Sequence, residues 1–194
     1  MVVRAAGRDA RRAIVGAERA RAERLLIAHL RSLSGLRSSS VGVFVAHDGE
    51  PDLSPLVDWL WHHDRTVALP VIDDHSGAAM TFRPWLHGET LQPGRYGIAV
   101  PAPAEPIEPA TLLVPMTGFD PAGNRIGRGG GFYDRYLARY TKNVIGVAFE
   151  AQRFAEVPTE RHDVALPVVV TDLGVRWVEG DKVGPIPTDS SRNR

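Results

Sequence analysis

The run Asn124-Arg125-Ile126-Gly127-Arg128-Gly129-Gly130-Gly131-Phe132-Tyr133-Asp134-Arg135 constrains this 194-residue chain more than any other segment. It separates an apolar, strand-like run at 111–116 from a helix-like run at 132–140. Its glycines permit positive φ and let the backbone approach a ligand closely. The start of the following helix offers unpaired N–H groups and a partial positive charge, which suit a phosphate. Arg125 and Arg128 add fixed positive charge, and Asp134 is a candidate metal carboxylate. A glycine-rich turn by itself is equally well explained as a tight strand-to-helix connection. Asp134 in a first helical turn also stabilises the helix dipole. Opposite charges at both ends of the glycine cluster favour a phosphate cradle.

The run is not the dinucleotide fingerprint, because Phe132 stands where the last glycine would be. No Gly-Lys-Ser/Thr follows, which excludes a P-loop. Strands are expected at 41–46, 66–70, 80–85, 111–116, 143–149, 168–171 and 175–178. Helical spacing covers much of 4–33, with a break at Gly16. Further helices are expected at 54–63, with Ser54 as N-cap and Pro55 at the first position, at 132–140, and briefly at 152–157. Residues 73–78 have turn composition, and 88–109 form a long Pro/Gly-rich connection. This alternation predicts a single α/β domain, residues 1–179, with a largely parallel sheet. Residues 180–194 read as a disordered polar tail. In such sheets ligands bind beyond the carboxyl ends of the strands, where Glu50 and the glycine loop both fall.

Formal net charge is zero, which argues against a general nucleic-acid binder. Cysteine is absent, so disulfides, thiolate catalysis and cysteine metal sites are excluded. No apolar run is long enough to span a membrane, and no signal core follows the N-terminal arginines. A cytoplasmic location is expected.

Glu50 follows the first strand. It reads as a solvated loop carboxylate or as a group accepting paired N–H donors from a pterin-like edge. Asp163 is a loop aspartate or a second magnesium carboxylate beside Asp134. Arg4 and Arg8 share a helix face and could reach phosphates, although a solvated basic face explains them too. The seven histidines show no zinc-ligand spacing. Trp59, Trp61, Phe82 and Trp85 read as core or pocket wall.

The chain resembles the 5-formyltetrahydrofolate cyclo-ligases, also called methenyltetrahydrofolate synthetases. The resemblance is carried by Val114-Pro115-Met116-Thr117-Gly118-Phe119-Asp120 continuing through Gly123 to Arg135. Supporting matches are Glu50 before Leu56, Val67-Ala68-Leu69-Pro70-Val71, Phe82 with Trp85, Tyr96-Gly97-Ile98 with Pro101, Ile145-Gly146-Val147-Ala148-Phe149, and Val157-Pro158 leading to His162-Asp163. Together they span about residues 41–175.

The resemblance implies a three-layer, Rossmann-like sandwich around a mainly parallel sheet. It also implies ATP- and Mg2+-dependent conversion of 5-formyltetrahydrofolate to 5,10-methenyltetrahydrofolate. A monomer is expected rather than an oligomer. Arg4, Arg8, Arg125, Ile126, Gly127, Arg128, Gly129, Gly130, Gly131, Phe132 and Tyr133 would bind ATP, with Arg125 and Arg128 steadying charge during transfer. Glu50, Tyr133 and Trp85 would contact the folate, and Asp134 and Asp163 the metal. The chain departs from the family pattern in having arginine at Arg4, Phe132 for a common tyrosine, and Pro167 for an aspartate. Two other readings stand beside this one: a same-fold paralogue with altered folate activity, and a nucleotide- or folate-binding protein without catalysis.

Overall fold

The computed structural model describes residues 2–72, 79–140 and 142–178. The turn at 73–78 and the polar stretch from 180 lie outside the described residues. Helices α1 (Val2–Ala13) and α2 (Gly16–Ser32) are separated where Gly16 takes φ +57°. There follow β1 (Ser40–Gly42), α3 (Ser54–His62), β2 (Thr66–Ile72) and β3 (Met80–Trp85). A small hairpin, β4 (Gln92–Pro93) and β5 (Ala99–Val100), interrupts the long connection. Next come β6 (Thr111–Pro115), a second hairpin of β7 (Gly118–Phe119) and β8 (Arg125–Ile126), and α4 (Phe132–Leu137). The chain closes with β9 (Asn143–Val147), β10 (Val168–Thr171) and β11 (Gly174–Trp177).

Seven strands form one sheet in the order β11-β10-β9-β6-β1-β2-β3. The five central strands are parallel, and each edge strand pairs antiparallel with its neighbour. Alternate residues build two cores on opposite faces, because successive side chains point to opposite sides of a strand. Leu113, Ile145, Val168 and Val170 pack with Leu26, Leu30, Leu56 and Leu60 of α2 and α3. Leu112, Val114, Val144 and Val169 pack with Tyr136 and Leu137 of α4. The expected three-layer α/β architecture is therefore the observed one.

Several boundaries shift for identifiable reasons. Leu53 rather than Ser54 occupies the cap of α3, and Asp52 Oδ1 accepts from both Ser54 N–H and its hydroxyl. The first strand stops at Gly42, although Val43 N–H still donates to Ala68 at 2.9 Å. The helix expected at 152–157 is a 3-10 turn at Glu150–Gln152. The glycine run does not join β6 directly to α4, since the β7–β8 hairpin intervenes.

Helix α1 docks without an apolar stripe. Its buried residues are Gly7 and Arg11. A Cβ on Gly7 would lie 2.1 Å from the Thr117 carbonyl oxygen, so glycine permits the helix backbone to touch the strand backbone. Gly7→Ala is expected to destabilise the protein by about 1–3 kcal/mol through overpacking against rigid backbone, measured by urea denaturation. An unchanged midpoint would show that the α1 contact does not contribute to global stability.

Candidate active site

A cleft of about 570 Å³ opens beyond the carboxyl ends of β1, β2 and β6. Parallel strands bring their carboxyl-terminal ends to one side of the sheet, here Phe44 and Val45 after β1, Pro70 within β2, and Pro115 to Thr117 at the end of β6. The glycine loop and the start of α4 form the opposite wall. Gly129 has φ +97° and Gly131 φ +63°, left-handed conformations that side chains rarely adopt. Among the described residues, the N–H groups of 127–131 have no acceptor within the protein. They form an open set of donors for an anion. The six-residue α4 adds a short helix N-terminus to that set. Arg4 reaches over from α1, its Nε donating to the Gly127 carbonyl at 2.9 Å, with its guanidinium against Gly129.

Glu50 is 4% exposed, so the solvated-loop reading fails. Its Oε1 lies 2.9 Å from Arg128 Nη2 and 3.7 Å from Arg11 Nη1, and His47 N–H donates to Oε2 at 3.2 Å. Burial pushes the Glu50 carboxyl up; Arg128 and Arg11 offset part of that rise. Arginines from three segments also hold the carbonyls of this turn. Arg128 Nη2 donates to His47 at 3.1 Å, Arg11 Nε to Asp48 at 2.8 Å, and Arg19 to Gly49 and Glu50 at 3.3 and 2.7 Å. The Asp48 carboxylate accepts from Arg11 and Arg12. Burial raises that carboxyl, but the hydrogen bonds and positive charges of Arg12 and Arg11 together hold it below the ordinary value.

Tyr133 brings its ring to the cleft wall, and its hydroxyl is buried with no partner among the described residues. Burial, with the Glu50 charge nearby, pushes this phenol up, so it keeps its proton and remains a donor. Arg125, buried at the base, donates to the Val164 carbonyl and to Asp134 Oδ1. Asp134 and Asp163 both line the cleft. Asp163 Oδ2 accepts from Glu160 N–H at 2.7 Å. Among the described residues no three His, Cys, Asp or Glu side chains gather to hold a metal by themselves. One or two carboxylates suffice for a magnesium ion held mainly by phosphate oxygens and water. The donor set therefore fits an ion that arrives with a nucleotide.

The structure does not bring every expected residue to the cleft. Arg4, Glu50, residues 125–134 and Asp163 line it; Arg8 and Trp85 do not. Arg8 sits about 100° round the helix from Gly7, the docking contact, and is exposed. Trp85 ends an antiparallel strand, opposite Val67 near the start of β2. It packs edge-on to Trp61 with ring centroids 4.8 Å apart, and its Nε1 donates to the Glu89 carbonyl. Met80, at the other end of the same strand, is the residue that reaches the cleft. Sequence reasoning missed Met80 and Arg11. The Arg4-Gly7-Arg11 spacing, three residues on one helix face, was the available signal for Arg11.

A model of the 5-formyltetrahydrofolate cyclo-ligase family matches residues 2–172. The chain belongs to that family. It is a ligase by membership. The 5-formyltetrahydrofolate cyclo-ligase of Escherichia coli K12 is 35% identical over 140 residues, covering 68% of this chain and 77% of the relative. That of Mycolicibacterium smegmatis is 38% identical over 151 residues, covering 72% and 77%. The NMR structure of Aquifex aeolicus 5,10-methenyltetrahydrofolate synthetase superposes with a TM-score of 0.80 at 29% identity, covering 94% of this chain and 95% of that one. A Mycoplasma pneumoniae 5,10-methenyltetrahydrofolate synthetase, 19% identical with a TM-score of 0.70, shares the fold. The match from residue 2 brings α1 into the cyclo-ligase homology. No helix among the described residues is long and apolar enough to cross a membrane.

The orphaned hydroxyl of this cyclo-ligase family member gives a separable prediction. Tyr133→Phe removes a buried, unpaired polar group, so stability is expected to stay level or rise by about 1 kcal/mol, while KM for the cleft's substrate increases. A fall in the denaturation midpoint would show that the hydroxyl has a partner within the protein.

Proposed function

We propose that this protein catalyses the ATP- and Mg2+-dependent cyclisation of 5-formyltetrahydrofolate to 5,10-methenyltetrahydrofolate, releasing ADP and phosphate. The observation that carries this reading is Arg128. It rises from the phosphate-type glycine loop and pairs with buried Glu50 at 2.9 Å, so one side chain spans both halves of a two-substrate cleft.

A formyl carbonyl on nitrogen is a weak electrophile, because the nitrogen lone pair delocalises into it. Transfer of the γ-phosphoryl group to the formyl oxygen converts that oxygen into a leaving group and leaves an iminium-like carbon. N10 of the same folate attacks this carbon and gives up its proton, the C–O bond breaks, and phosphate departs with the bonding pair and that proton as the five-membered ring closes. Attack within one molecule gains from proximity. The N–H groups of 127–131, with Arg4, Arg125 and Arg128, hold and neutralise the triphosphate before and during transfer. Glu50 accepts N–H donors of the pterin, and the protonated Tyr133 hydroxyl donates beside it. Magnesium, met by Asp134 and Asp163, would supply charge neutralisation on the phosphates. The apolar wall from Phe44, Val45, Met80 and Ile98 limits water access to the activated carbon. Residues 1–179 act as one domain, and as a monomer, since one chain supplies both cleft walls.

Formation of the methenyl chromophore from 5-formyltetrahydrofolate, ATP and Mg2+ tests the reading. Chelation of the metal is expected to stop turnover reversibly, and absence of product at high enzyme concentration would sink the proposal. Asp134→Ala is expected to lower kcat by roughly 10²- to 10³-fold with the circular-dichroism spectrum unchanged. Near-normal turnover would remove Asp134 from the reaction.

A further inference from the structure

We infer that Arg11 is the fixed counter-ion of Glu50, a positioning residue that keeps this carboxylate ionised and aimed into the cleft when Arg128 turns to the nucleotide. The role in catalysis rests on the proposed reading of Glu50 as the folate acceptor.

Two guanidinium groups reach Glu50, and their settings differ. Arg128 stands on the glycine loop with 38% of its side chain exposed. A phosphate bound by residues 127–131 would compete with Glu50 for it. Arg11 is fully buried. Its Nε and Nη2 donate to the Asp48 carbonyl and carboxylate at 2.8 and 3.0 Å, and its Nη1 donates to the Met116 carbonyl at 3.4 Å. It grows from α1, which Gly7 seats against Thr117. Nothing in a nucleotide-binding event at the cleft wall pulls Arg11 away.

The remaining groups around Glu50 cannot replace it. Tyr133 is neutral. Asp48 carries negative charge and is held by Arg11 and Arg12. Arg19 bonds the Glu50 backbone carbonyl, and Arg125 is paired with Asp134. The His47 contribution is its backbone N–H. With Arg128 drawn to phosphate and Arg11 absent, Glu50 would be a buried carboxylate without a cation, a state that takes up a proton. A protonated carboxyl has one oxygen committed as a donor and no longer accepts two N–H groups. Arg11 also shapes the turn itself. Asp48 and Gly49 take φ +55° and +82°, and both the carbonyl and the carboxylate of Asp48 lie on this one guanidinium.

The test compares wild type, Arg11→Met, Arg11→Lys and Glu50→Gln by steady-state kinetics across pH. It adds a 13C NMR titration of the Glu50 carboxyl, assigned by its loss in Glu50→Gln. Arg11→Met is expected to raise the folate KM roughly ten- to a hundredfold while the ATP KM stays within about twofold. Removing the cation favours the neutral acid, so the NMR midpoint and the acid limb of kcat/KM for folate both move to higher pH. Arg11→Lys keeps the charge with fewer bonds and gives a smaller shift in the same direction, which also carries the test should Arg11→Met not fold. An unmoved Glu50 midpoint in the folded Arg11 variants overturns the inference. So does a joint rise in both KM values with an unmoved acid limb. If Arg11→Met shifts the NMR midpoint but Glu50→Gln leaves the folate KM unchanged, the counter-ion role stands and the folate role of Glu50 falls.

Discussion

Glu50, buried between Arg11 and Arg128, is the contact on which the rest of the cleft depends. Arg11 lies 37 residues before Asp48, and Arg128 lies 78 residues after Glu50. One carboxylate therefore ties α1, the turn after β1 and the glycine loop into a single site. Buried ion pairs contribute little net stability, yet loss of one partner leaves an uncompensated charge costing about 3–5 kcal/mol. Such a contact specifies an arrangement more than it strengthens a fold. The arginines on the carbonyls of His47, Asp48, Gly49 and Glu50 extend the same logic to the backbone. They hold a turn with two left-handed residues in one conformation.

The sheet supplies the frame for this knot. Its central strands run parallel, so the carboxyl-terminal ends of β1, β2 and β6 face the same side. Edge strand β3 runs the opposite way. Strand direction alone decides that Met80 borders the cleft while Trp85 packs at the far end against Trp61. The apolar interior on both faces is conventional, with Leu and Val residues alternating between two helical layers. Helix α1 is the exception. Gly7 and Arg11 seat it by close backbone approach and a buried cation. It then presents Arg4 to the glycine loop.

The cleft divides its chemistry between two kinds of polar group. Residues 127–131 offer backbone donors and the partly exposed charge of Arg128, a set that suits an anion. Glu50 and Tyr133 are buried and rigid, suited to reading a heterocycle. Asp134 lines the same cleft, its Oδ1 held by Arg125. The phosphoryl transfer we propose would need such adjacency, because it leaves little covalent chemistry for the protein itself to perform.

Local chemistry made much of this legible before any fold was known. Short β-branched runs separated by helical periodicity specified the α/β class, since apolar spacing reports which faces are buried. The glycine run with Arg125, Arg128 and Asp134 marked a segment that does line the cleft, because backbone freedom and charge are properties of the residues themselves. Other features were decided by tertiary contact. Whether Glu50 was solvated or buried depended on Arg11 and Arg128 arriving from distant segments. Arg8 and Trp85 carried suitable side chains but were turned away, one by its angle on α1 and one by the direction of β3. Arg11 is one of several arginines in its helix, with nothing in its immediate neighbours to single it out. It became the buried partner of the site because Gly7 lets α1 lie against Thr117. Sequence spacing gives a residue's position along its own element; long-range packing alone sets which face of that element meets the cleft.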